Sequence, residues 1–232
     1  MAILPILLLA FGLGVLAAPT STTAPAASAA PTPDTKALYA DLFSSPTELG
    51  RFQRLLVDPK SGGLLQGDAL RSKIVFDYTK DAVLNPGDKG GKVTAAVAAT
   101  FPILAGQDIS TVAAFLNPCS LLVPHTHPQI ESLVVAQGAL TVGILVPGLV
   151  GPGHGTGEIV QNITQFQGTV FPRGAIHYQL NPTCQPAVFI SSLPSSDPGT
   201  TLESAFFQLS DNVSSQFKFL LPQVWYQFEF QS

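Results

Sequence analysis

An all-β protein, folded as a sandwich or closed barrel, is what this sequence predicts. Three observations carry that prediction. From Lys73 onward, short apolar runs alternate with turns built on Gly and Pro, the rhythm of short strands. Hydrophobic residues make up 46% of the chain, enough for a sizeable core, whereas charged residues are only 11%. No internal repeat is visible in the 232 residues, which favours one large β domain over a tandem pair.

The chain opens on residues 2–17, almost wholly apolar, with Val15-Leu16-Ala17 at the usual cleavage offsets. Residues 1–17 therefore read as a secretory signal peptide, although no Lys or Arg precedes the apolar run. A membrane anchor is the alternative, but the run is short for a span, and no later segment is long and apolar enough. The expected location is outside the cell or in its wall, with no membrane association once the signal is removed. Residues 18–34 are mostly Ala, Pro, Ser and Thr and predict a disordered linker.

Helical signals occupy residues 35–71. Ser45-Pro46-Thr47-Glu48 reads as a capping box with Pro46 at the first helical position. Leu49, Phe52, Leu55 and Leu56 then recur at helical spacing and are expected to pack this helix onto the barrel. Asp58-Pro59 ends it. The β domain is expected over residues 72–210. Strand candidates are residues 74–76, 93–101, 111–116, 133–136, 140–146, 158–163, 169–171 and 187–193, with a turn cluster at 85–91. Residues 211–232 form a tail with some helix.

One stretch concentrates the chemistry. Pro124-His125-Thr126-His127-Pro128-Gln129-Ile130-Glu131 places two imidazoles and a carboxylate between the apolar runs Leu121-Leu122-Val123 and Leu133-Val134-Val135. His-x-His on a strand puts both rings on one face, and Glu131 shares their parity. Pro128 cannot donate to a ladder, so a bend is expected there. Imidazole with carboxylate suits Mn, Fe, Zn, Cu or Ni. Two surface histidines are the alternative for His-x-His alone. Glu131, Gly138 and a second stretch around His177 favour the metal. His154, among the glycines of residues 147–157, reads as a solvated loop residue.

Cys119 lies six residues before His125 and Cys184 seven after His177. In a secreted chain two cysteines are expected to pair, here near the mouth of the barrel, with two buried free thiols as the alternative. Asn162-Ile163-Thr164 and Asn212-Val213-Ser214 are glycosylation acceptors. A net charge of -4 without a basic patch argues against nucleic acid.

The first stretch reads His-x-His-x3-Glu-x6-Gly, closing at Gly138. The second reads Pro-x-Gly-x2-His-x3-Asn, from Pro172 to Asn181. Together they resemble the two motifs of the cupin family, in its single-domain germin-like and spherulin-like branch. Gly90-Gly91, Phe101-Pro102, Asn117-Pro118-Cys119 and Asp197-Pro198-Gly199 are similar to fungal members. The resemblance implies a jelly-roll β-barrel holding Mn(II) through His125, His127, Glu131 and His177. It implies either a superoxide dismutase or an oxidase of oxalate or another small organic acid. The other implied class is a non-enzymatic wall or stress protein that carries metal. There are departures. Phe166 stands where the family usually has glycine. The tail over residues 212–232 does not read like the helical clasp that joins germins into hexamers, so a homo-oligomer stays open. Oxalate-oxidising germins carry asparagines three and thirteen residues before the first histidine; here those positions are Leu122 and Val112.

Overall fold

The computed structural model describes residues 33–80 and 90–202. The expected signal peptide, most of the linker, the tail and Asn212 lie outside the described residues. Within them, two five-stranded antiparallel sheets face each other as a jelly roll. The first has β1 (Gly91–Ala96), β2 (Ser110–Leu116), β9 (Ala187–Leu193), β4 (Glu131–Gln137) and β7 (Gly168–Phe171), in that order. The second has β10 (Thr201–Leu202), β3 (Leu121–Thr126), β8 (Ile176–Leu180), β5 (Ala139–Leu145) and β6 (Glu158–Thr164).

Strand alternation fills the space between them. Along β9, for example, Ala187, Phe189, Ser191 and Leu193 are buried while the residues between are half-exposed. Leu116, Leu133, Val135, Leu140, Val142, Phe171 and Phe189 join one apolar cluster across both sheets. Gly138, at φ 80°, makes the tight turn from β4 to β5.

Several expectations are corrected. Residues 74–76 do not form a strand: Ile74 ends α3 (Gly67–Ile74), and the Val75 N–H caps it on Arg71 O. β1 stops at Ala96 because Thr100 Oγ1 takes up the Val97 N–H and closes a turn. Helix α1 (Pro33–Ser44) begins inside the residues read as linker. The cap of α2 (Glu48–Leu56) is Thr47, which accepts from Gly50 N. Ser45 Oγ instead donates to Thr47 O. Leu49 is 66% exposed, and α2 packs mainly into a second core of Leu42, Leu55 and Ala105. That subdomain rests on the barrel through bonds from Tyr39 to Ala98 O and between the Tyr78 and Thr111 hydroxyls.

Phe166 occupies its turn at φ 65° with 81% of its surface exposed. A left-handed conformation costs a side-chain-bearing residue roughly 1–2 kcal/mol, and so little burial returns none of that. Phe166→Gly is therefore expected to leave stability unchanged or raise it by about 1 kcal/mol, after the extra entropy of an unfolded glycine. Urea denaturation checks this; a loss above about 1 kcal/mol contradicts it.

Both cysteines are exposed and free, so the expected cross-link is not formed here. They do lie at one end of the barrel. Cys119 N donates to Thr183 O at 3.0 Å, one residue from Cys184. That end is opposite the expected mouth: Cys119 precedes the start of β3, whereas His125 lies near its end.

Candidate metal centre

The four residues singled out by the sequence converge, but not along one strand. His125 lies on β3 and is the direct cross-strand partner of His177 on β8. Glu131 opens β4 in the opposite sheet, and His127 stands in the corner between them. A register irregularity between Leu122 and His125, an interval that contains Pro124, lets both Leu122 and His125 face inward. One ligand atom from each of the four lies within 4.8 Å of the other three, and all four residues are buried. His154 is exposed in its loop and takes no part.

The hydrogen bonds orient the rings. Nδ1 of His125 pairs with Val123 O at 2.8 Å, that of His127 with Gly199 O at 2.7 Å, and that of His177 with Ala175 O at 2.9 Å. A carbonyl only accepts, so each ring carries its proton on Nδ1 and turns Nε2 inward. Phe171 stacks on His177 at 4.3 Å and 14°, bracing the ring from one side. Glu131 Oε2 lies 3.0 Å from His127 Nε2 and 3.1 Å from His177 Nε2.

That last geometry has a chemical consequence. A neutral ring protonated on Nδ1 presents a bare lone pair at Nε2. Two such lone pairs beside a carboxylate repel unless protons or a cation sit among them. Burial disfavours charge on His125, and the neighbouring His177 adds to this, so its pKa falls to about 4 and that ring is neutral. For His127, burial also opposes charge, but hydrogen bonds to Glu131 and Gly199 outweigh it and raise the pKa. Burial likewise opposes charge on Glu131. Hydrogen bonds from His127 and His177 prevail and hold the carboxyl well below its usual range. The Ser191 hydroxyl beside Glu131 works in the same direction, although no bond of ordinary geometry joins the two. A divalent cation would satisfy all four groups at once, and the donor set of three imidazoles and one carboxylate fits one.

Sequence reasoning missed the supporting residues. Phe171 was read only as part of a strand. Gly199, the partner of His127, stood out only inside Asp197-Pro198-Gly199. Ser191 gave no local signal.

The chain resembles known proteins in sequence and in fold. The sequence profile of the Cupin family matches residues 81–220. Spherulin-1B of Physarum polycephalum is 32% identical over 197 residues, covering 82% of this chain and 71% of its own. A germin-like protein of Mesembryanthemum crystallinum is 36% identical over 195 residues, 79% of this chain and 81% of that one. Among solved structures, an oxalate oxidase in complex with the substrate analogue glycolate superposes with a TM-score of 0.50. It covers 68% of this chain and 77% of that one at 23% identity, which speaks for the fold alone.

Proposed function

The chain belongs to the cupin family, in its germin-like and spherulin-like branch, and from that premise we propose that it is a secreted single-domain metal protein acting on superoxide. His125, His127, Glu131 and His177 would hold one divalent ion, Mn(II) first among the metals this donor set admits. The observation that carries the reading is the set of three Nδ1-to-carbonyl bonds, which turn three Nε2 lone pairs toward one anionic carboxylate. A bound redox metal supplies one-electron exchange. The protein's part is to fix the rings, keep Glu131 anionic and shut bulk water out with Phe171 and the apolar core. Superoxide needs little more than access to such a centre. A dismutation assay on Mn-loaded protein tests this: activity above free Mn(II) supports the reading, and its absence contradicts it.

Oxidation of oxalate or another small organic acid is a weaker reading, for reasons developed in the Discussion. Absence of every such activity in metal-loaded protein would favour a metal-carrying wall or stress protein, the class suggested by the resemblance to spherulins.

Among the described residues no helix is long and apolar enough to cross a membrane. Secretion would leave two covalent marks. Asn162 is exposed on β6, with its Oδ1 accepting from Thr141 Oγ1 at 2.7 Å. Cys119 holds a left-handed φ of 53° at a turn position better suited to glycine, which favours selection for its thiol. Asn181 Nδ2 ties the two cysteine loops together through Asn117 O and Gln185 O, at 2.9 and 2.8 Å. Mass spectrometry of the secreted protein without reductant is expected to show a Cys119–Cys184 cross-link and glycan at Asn162 and Asn212. Free thiols and unshifted peptides would refute both.

A further inference from the structure

A second site lies away from the metal centre, on the seam where the two sheets end. β6 and β7 are the last strands of their sheets, and the turn over residues 165–167 joins them. Between them runs an open groove of about 510 Å³, within the usual range of small-molecule sites. Gln161, Asn162, Gln167 and Thr169 give it polar walls, Val142 and Ile163 an apolar floor, and no charged side chain lines it. Gln161 pairs with Val142, a core residue, so it lies on the inner face of β6. It is nevertheless exposed, and its amide has no hydrogen-bond partner among the described residues. Gln167 is fixed by its Oε1, which accepts from Thr164 N at 2.8 Å and from Thr164 Oγ1 at 3.1 Å. That leaves its Nε2 to donate. Asn162 faces the other way, opposite Thr141, so a glycan carried there leaves from the outer face.

Phe166 stands in the turn at one end of this groove. The turn is pinned to β4: Phe166 N donates to Val135 O at 2.8 Å, and Gln165 Nε2 to Ala136 O at 3.0 Å. A single exposed phenylalanine is ordinary. One held at positive φ, where glycine would relieve the strain, is not, because such strain is kept at positions of function. The combination has a chemical match. A flat apolar ring beside neutral amides suits a neutral pyranose. The C–H face of a glucose ring with equatorial hydroxyls lies against an aromatic face, and those hydroxyls donate to and accept from amides. An anionic sugar would meet no cation in the groove. β-Linkage keeps successive rings extended, as an open seam between two strands requires. We infer that the β6–β7 seam binds a neutral β-linked glucan, with Phe166 as the stacking platform and Gln161 and Gln167 as partners of its hydroxyls. None of the four residues of the metal centre takes part, so this site stands independently of the metal.

The test is calorimetric titration of the full-length protein with cellohexaose and laminarihexaose, two β-linked glucans, and with maltohexaose, which is α-linked. Wild type is expected to bind at least one β-linked hexamer about 10-fold or more tightly than maltohexaose. The two β-linked arms tell which linkage the seam prefers. Phe166→Gly removes the platform and relieves the turn. It is expected to weaken the preferred glucan about 10-fold or more, the scale of losing one buried aromatic face, and to leave metal content unchanged. Phe166→Trp is expected to keep the affinity, which a residue needed only to shape the turn would not do. Should Phe166→Gly not fold, Gln161→Leu is expected to weaken the same glucan about 3- to 10-fold, roughly the range of a neutral hydrogen bond. Binding of neither β-linked hexamer by wild type overturns the inference, as does unchanged affinity in Phe166→Gly or, in its place, Gln161→Leu. A wild type that ignores both glucans but loses oligomeric mass on Phe166→Gly would make Phe166 a contact between copies, and is equally decisive against the inference.

Discussion

Replacing His127 with alanine is expected to leave the protein unable to hold its metal. His127 sits in the corner between the sheets, between the end of β3 and the start of β4. Its Nε2 faces Glu131 at 3.0 Å, and its Nδ1 is anchored on Gly199 72 residues away. Loss of a partner that merely orients a metal ligand typically costs 10–100-fold in affinity; loss of the ligand itself should exceed that. Chelator competition on the variant measures it, with His154→Ala as the control expected to retain full affinity. Wild-type affinity in His127→Ala would remove His127 from the ligand set.

Oxalate turnover by the Mn-loaded protein is expected to be poor. The two positions at which oxalate-oxidising germins carry asparagine are Leu122 and Val112, both apolar. Leu122 packs against the main core opposite Gln179. Val112 lies opposite the buried Ser191. Neither side chain donates a hydrogen bond to a second carboxylate. Each lost bond to a charged group costs about 1.5–3 kcal/mol, so the pair lowers transition-state binding by roughly two to four powers of ten. Peroxide release from oxalate, measured beside superoxide dismutation on one preparation, checks this. Robust oxalate turnover would contradict it.

The ligands were legible in the sequence because histidine is rare in this chain and three of the four cluster in two short stretches. Their route to one point was not legible. Shared parity on one strand suggested convergence, whereas β3 ends at Thr126 and Glu131 belongs to the other sheet. What unites them is long-range pairing, such as His125 with His177, together with the irregularity between Leu122 and His125. A local pattern records neither. Strands with clean alternation, such as β9, could be bounded to the residue. β3 and β8 escaped delineation, because proline breaks the first and polar inward residues interrupt the second. Inward polarity is the mark of the site itself: His177 and Gln179 occupy positions where the alternation rule alone expects aliphatic side chains. At the N-terminus the cap moved from Ser45 to Thr47, since two candidate hydroxyls two residues apart compete and only one reaches the Gly50 N–H.

The most direct test of the central claim is elemental analysis of the purified protein after loading with Mn(II) and removal of excess metal. One buried site of three imidazoles and one carboxylate predicts about one divalent ion per chain. A folded protein that retains none would contradict it.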